Sequence, residues 1–116
     1  MSRSAPQVDA FGGGGFRLSG DWRPGSVLIL EDVAQDWGVA SVSGLSIDSL
    51  SPVLQAGSAA AELLVLGMGT ANALPPREIR EAFLRAGVGL EFLDTPAAAR
   101  LYNLLTSEGR RVAAAL

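Results

Sequence analysis

Three stretches of this sequence hold residue types and spacings that can do chemistry. Gly67-Met68-Gly69-Thr70 lies between an apolar run and a helix-forming run. Glycines at such a strand exit let an anion approach backbone N–H groups. The dinucleotide fingerprint needs a third glycine where Asn72 stands, and the helical pattern starts only at Pro75, so neither that fingerprint nor a P-loop is present. The competing expectation is a tight strand exit with positive φ. The second stretch, Phe11 to Gly15, is a glycine tract with no helix start beside it, and it reads as a hairpin or bulge. The third runs from Asp94 to Asn103. At 100° per residue, Arg100, Asn103 and Ser107 fall within about 60° of one another, beside an apolar face of Ala97, Leu101, Leu104 and Leu105. Asp94 stands just ahead of the helix N-terminus, where a carboxylate is favourable. Tyr102 falls on the opposite flank, and Glu108 projects toward the core side, where Arg110 or Arg111 would pair with it.

Whole chemistries are excluded by what is missing. The 116 residues contain no His and no Cys, and all nine basic residues are arginine. There is therefore no imidazole base, no thiolate nucleophile or thiolate metal site, and no Schiff-base or P-loop lysine. Asp, Glu, Ser, Thr, Tyr and Arg remain, and no spacing singles out a carboxylate base beside a nucleophile. The expectation is a non-enzyme with no cofactor and no metal. A net charge of −3 argues against nucleic acid as a partner. No apolar run reaches the roughly 18 residues of a membrane span, and the first ten residues lack a signal-peptide pattern, so a cytoplasmic location is expected.

The elements that would position these residues follow from periodicity. Residues 1–10 read as a loose leader and 11–116 as a single domain. Phe16, Leu18 and Trp22 alternate as in a half-buried strand, and Arg23-Pro24-Gly25 marks a turn. Val27 to Leu30 is a buried strand, Glu31 to Asp36 is polar, and Trp37 to Val42 resumes as a strand. A short helix is predicted over 48–56, with Pro52 in its first turn and Gly57 as its stop. A strand follows over 62–67, then a helix over 75–86 ended by Gly87, and a strand over 88–93. The last helix opens at Thr95-Pro96, with Thr95 as the capping hydroxyl, and closes at Gly109, before a final strand over 112–116. The expected fold is α/β: a compact layered single domain with a mixed parallel and antiparallel sheet and about three helices.

The run Leu93-Asp94-Thr95, Ala98 to Leu105 and Glu108 to Leu116 resembles the C-terminal signature of a small domain-of-unknown-function family. That family includes the mitochondrial respiratory complex I alpha-subcomplex assembly factor and an adipogenesis-associated protein. The Gly12–Gly20, Gly25–Ile29 and Leu64–Gly69 segments are similar to its earlier blocks, in the same order. Two positions depart from the pattern: Pro96 stands where the family usually has Gly, and Ala99 where it often has Cys. The latter argues against a thiol role there.

The resemblance implies a layered α/β domain, no established activity or ligand, and a role in binding another protein. It also brings together Gly67, Gly69, Asp94, Arg100, Tyr102, Asn103, Glu108, Arg110 and Arg111 as candidates for one cleft. The expected function is a protein-interaction module that assists assembly of respiratory complex I or another membrane complex, with a complex subunit or assembly factor as partner. The alternative is a small-anion or nucleotide site between Gly67-x-Gly69 and the Arg100/Asn103 helix. A homo-oligomer through a sheet edge or Trp22 and Trp37 is a third expectation.

Overall fold

Eight strands and three helices are arranged in three layers in the computed structural model, which describes residues 6–12, 14–39, 44–69 and 74–116. The middle layer is a five-stranded sheet. Its strands are β4 (Val27–Leu30), β5 (Val33–Asp36), β6 (Leu63–Gly67), β7 (Gly89–Leu93) and β8 (Val112–Ala115), in the order β5-β4-β8-β6-β7. β6 runs parallel to β7 and β8, whereas β4 runs antiparallel to β5 and β8. The expected mixed sheet is present.

The two faces of this sheet follow the alternation of its strands. Leu28, Leu64, Leu66, Ala113 and Ala115 face α1 (Ser51–Ala56) and α2 (Arg77–Ala86), where Val53, Ile79 and Phe83 complete one core. Val27, Ile29, Val65, Val112 and Ala114 face α3 (Thr95–Ser107) and a second, three-stranded sheet of order β1-β2-β3. Strands buried on both faces explain the continuous apolar runs VLIL and LLVLG.

The sequence expectations are corrected at four places. Residues 8–10, expected in the leader, belong to β1 (Val8–Gly12), which pairs antiparallel with β2 (Gly15–Leu18). The Phe16-to-Trp22 alternation is two strands: the chain reverses at Ser19-Gly20, both at positive φ (48° and 91°), and β3 (Asp21–Pro24) carries Trp22. The strand expected over 37–42 lies earlier, at β5, because Glu31 and Asp32 (φ 52° and 66°) close a two-residue hairpin directly after β4. Residues 40–42 of that expected strand lie outside the described residues.

The fourth correction is α3. Its cap is Asp94, whose Oδ1 accepts from the Ala97 N–H at 2.8 Å, not Thr95. Its buried face is Ala98, Ala99, Tyr102, Leu105 and Thr106, and Leu104 is 56% exposed. Small residues face inward where α3 packs on β6 and β8, whose Val65 and Ala114 share its core. The other two helices fall where expected: α1 follows a 3-10 turn at Asp48–Leu50 and stops at Gly57, and Gly87 ends α2 in the left-handed region at φ 73°.

Candidate functional site

The nine residues singled out from the sequence do not converge on one cleft. They fall at three levels along α3, whose thirteen residues span about 20 Å. At its N-terminal end, Gly67 and Gly69 form the exit of β6, joined to the helix by two bonds. The Gly69 N–H donates to Thr95 Oγ1 at 3.0 Å, and the Thr95 N–H donates to the Gly69 carbonyl at 2.8 Å. A Cβ on Gly67 would stand 2.9 Å from Thr95 Oγ1, so this glycine is needed for close approach. Gly69 has φ 89°, the positive φ expected of a strand exit. Its N–H is engaged by Thr95, and the neighbouring Asp94 caps the helix with a carboxylate. Both features leave this end poorly suited to an anion.

In the middle, Tyr102 and Asn103 fasten the N-terminal segment. Tyr102, expected on the flank opposite the polar stripe, is fully buried, and its hydroxyl donates to the Pro6 carbonyl at 2.8 Å. Asn103 Oδ1 accepts from the Val8 N–H and its Nδ2 donates to the Val8 carbonyl, both at 2.8 Å. The side-chain amide thus replaces a neighbouring strand along the edge of β1. Arg100 is exposed.

At the C-terminal end, Glu108 is exposed rather than turned to the core. Arg110 pairs with Glu62 at 2.8 Å, not with Glu108. The hydrogen bond that Arg110 donates to Glu62, and then the charge of Glu62, hold the guanidinium above its usual pKa; desolvation opposes them, and the charge of Glu108 adds the smallest effect. The Arg111 side chain is exposed, and its carbonyl accepts from the Glu62 N–H at 2.9 Å.

A concave site among the described residues lies elsewhere, with Gly69 as its one member from that set. It is a cleft of about 770 Å³ bounded by the β1–β2 hairpin, the start of β4, the segment 37–39 and the N-terminus of α3. Its apolar walls are Phe11, Phe16, Trp37, Val39, Pro96 and Leu116. Six glycines also line it, and four of them, Gly12, Gly14, Gly25 and Gly69, are at positive φ. Ser26 and Thr95 bring hydroxyls, and none of the described lining residues is charged. Trp37 is held by its indole N–H, which donates to the Ser49 carbonyl at 2.8 Å. The volume is that of a small-ligand or side-chain-binding site, but no acid, base or nucleophile pair faces it.

Sequence reasoning missed this cleft because its walls come from six separate segments. The FGGGG tract was its one visible signal. Among the described residues, no group of acidic side chains is placed to hold a metal ion, and no helix is long and apolar enough to cross a membrane.

A five-stranded mixed sheet with α1 and α2 on one face, and α3 with a small antiparallel sheet on the other, is an Mth938-like arrangement. A Bordetella pertussis structure described as an Mth938-like domain matches with a TM-score of 0.80 at 27% identity, over 100% of this chain and 87% of that one. A Bartonella henselae structure described as an outer membrane protein matches at 0.89 and 27%, over 100% and 97%. A Rhodopseudomonas palustris structure matches at 0.84 and 36%, over 99% and 84%.

Residues 8–116 match the family described as "Protein of unknown function (DUF498/DUF598)", and the chain belongs to that family. An uncharacterised Rhodobacter capsulatus protein is 38% identical over 109 residues, 94% of this chain and 82% of that protein. NADH dehydrogenase (ubiquinone) 1 alpha subcomplex assembly factor 3 of Danio rerio is 35% identical over 102 residues, 88% of this chain and 58% of that protein. The human assembly factor is 29% identical over 119 residues, and this chain covers 64% of its length. The family therefore includes complex I assembly factors, and this chain spans less than two thirds of those two.

Proposed function

We propose that this protein is a non-enzymatic interaction module that assists assembly of a membrane complex, with respiratory complex I as the first candidate, and that it works in the cytoplasm. The observation that carries the reading is the uncharged, apolar cleft. Its glycine walls expose backbone to an occupant, and its aromatic walls would cover a partner's apolar side chains. A subunit awaiting its neighbours exposes such side chains, and shielding them is the task of an assembly helper. The relatives named as assembly factors support the same direction. Gly67, Gly69 and Asp94 would shape the rim through the N-terminus of α3. Tyr102 and Asn103 would hold β1 and its Phe11 in place, and Arg110 with Glu62 would tie the far end of α3 to β6.

Gly38 supplies a direct test. It lies in the cleft, it is not at positive φ, and a Cβ there meets nothing within 4 Å. Gly38→Leu should therefore fill the cleft while leaving the melting temperature within about 2 °C of the parent. The tagged parent, purified from native cells, should carry a membrane-complex subunit or assembly protein, and Gly38→Leu should lose it. A parent that returns only itself, or a filled cleft that retains the same partner, would overturn the proposal.

A further inference from the structure

The two sheets present four edges, and three of them carry a local obstacle to pairing. β1 is covered at Val8 by the Asn103 amide and carries an irregularity between Val8 and Ala10. β3 ends in Pro24, which has no N–H to offer. β5 is held at Asp36 by Arg23 at 3.3 Å. β7 has no proline, no bulge and, among the described residues, no side chain bonded across its edge.

The polar groups that β7 offers can be assigned. The Gly89 N–H donates to the Glu62 carbonyl at 2.9 Å, and the Leu93 carbonyl accepts from the Met68 N–H at 2.7 Å. Residues 89, 91 and 93 thus turn their backbone polar groups toward β6. By alternation, the N–H and C=O of Leu90 and Phe92 face outward. The side chains divide likewise. Leu90 and Phe92 are half-buried against the α2 core, and Leu93 packs toward α3. Glu91 shares the α3 face and is exposed, with no hydrogen bond or ion pair to any described residue.

From this we infer that β7 is a docking edge for an extended segment of another protein with an apolar–basic–apolar pattern. The segment adds a sixth strand, its backbone pairs with Leu90 and Phe92, and its apolar residues lie beside those two side chains. Its central Arg or Lys stands across from Glu91, and this charge complementarity selects the occupant. A second copy of this chain, paired antiparallel about the middle of β7, sets Glu91 against Glu91 in a molecule already at net charge −3. The same carboxylate that recognises a basic strand therefore turns away the chain's own copy.

The inference is independent of the cleft, and its test is a nuclear magnetic resonance titration. The probe is a capped peptide, Thr-Val-Arg-Val-Thr, with Thr-Val-Glu-Val-Thr as its control. The expected result is amide shifts centred on Leu90 and Phe92, and binding about tenfold weaker for the control. Glu91 is exposed, so Glu91→Arg leaves the fold intact and should reverse the preference. Gly38→Leu should leave it unchanged. Three results overturn the inference: no shifts on β7, a preference that Glu91→Arg does not alter, or concentration-dependent protection of the Leu90 and Phe92 amides in the protein alone. The last would make the occupant a second copy.

Discussion

Replacing Asn103 by Ala tests the claim that a single side chain stands in for a missing strand. The substitution removes two part-buried hydrogen bonds of 2.8 Å and leaves both polar groups of Val8, a residue only 6% exposed, without their partner. Each bond is worth about 0.5–1.5 kcal/mol net, and an orphaned buried group costs about 1–3 kcal/mol. Water reaching the frayed edge recovers part of that, so a loss of about 2–3 kcal/mol is expected. For a domain of this size, that lowers the melting temperature by about 8–12 °C. Hydrogen exchange locates the effect: the Val8 amide should lose most of its protection, while β6 and β8 amides fall only with global stability. Asn103→Asp should not rescue the variant at neutral pH, because it keeps an acceptor for the Val8 N–H but sets a carboxylate oxygen against the Val8 carbonyl. A melting shift below about 1 °C, with the Val8 amide still protected, would refute the strand-surrogate argument.

Other substitutions test the joint between β6 and α3. Gly67→Ala should cost about 1–3 kcal/mol, since the added methyl meets Thr95 Oγ1 at 2.9 Å and Leu116 Cδ2 at 3.3 Å; chemical denaturation would measure it. Gly69→Ala should cost about 1 kcal/mol for a different reason, its φ of 89°, with open space for the methyl. Asp94→Ala should lower stability by about 1 kcal/mol through the lost helix cap, and Asp94→Ser should restore most of it in the same unfolding assay. Glu62→Gln should change stability little between pH 5 and 9. The raised pKa of Arg110 contributes stability that is fully present at any pH below the unfolded arginine's own pKa and is lost only above it, well outside that range, so a pH titration of melting temperature should stay flat on this account.

The sequence was most legible where one local rule dominates. The runs VLIL and LLVLG are buried on both faces and read directly as strands, and Gly87 ends α2 as glycine does in a left-handed cap. The misreadings share a physical origin, which is that the deciding partner is remote or small. VDAFG has no clean alternation, and what covers its outer edge at Val8 is an amide 95 positions away. Glu31-Asp32 turns the chain without a glycine to announce it. On α3 the leucine spacing points to Leu101, Leu104 and Leu105, yet Ala98, Ala99 and Tyr102 form the buried face and share a core with Val65 and Ala114. Of the polar residues expected in a cleft, Asp94, Tyr102, Asn103 and Arg110 are anchors of the scaffold, whereas the cleft itself is made of glycine and aromatic surface.

The position of β8 has a consequence for how the molecule is made. Val112–Ala115 is the last strand in sequence and the middle one in space, antiparallel to β4 on one side and parallel to β6 on the other. Until those four residues leave the ribosome, β5–β4 and β6–β7 are two strand pairs with nothing between them, and both cores lack a wall. A chain emerging without β8 therefore cannot yet close this sheet, and its apolar faces stay uncovered until that strand arrives.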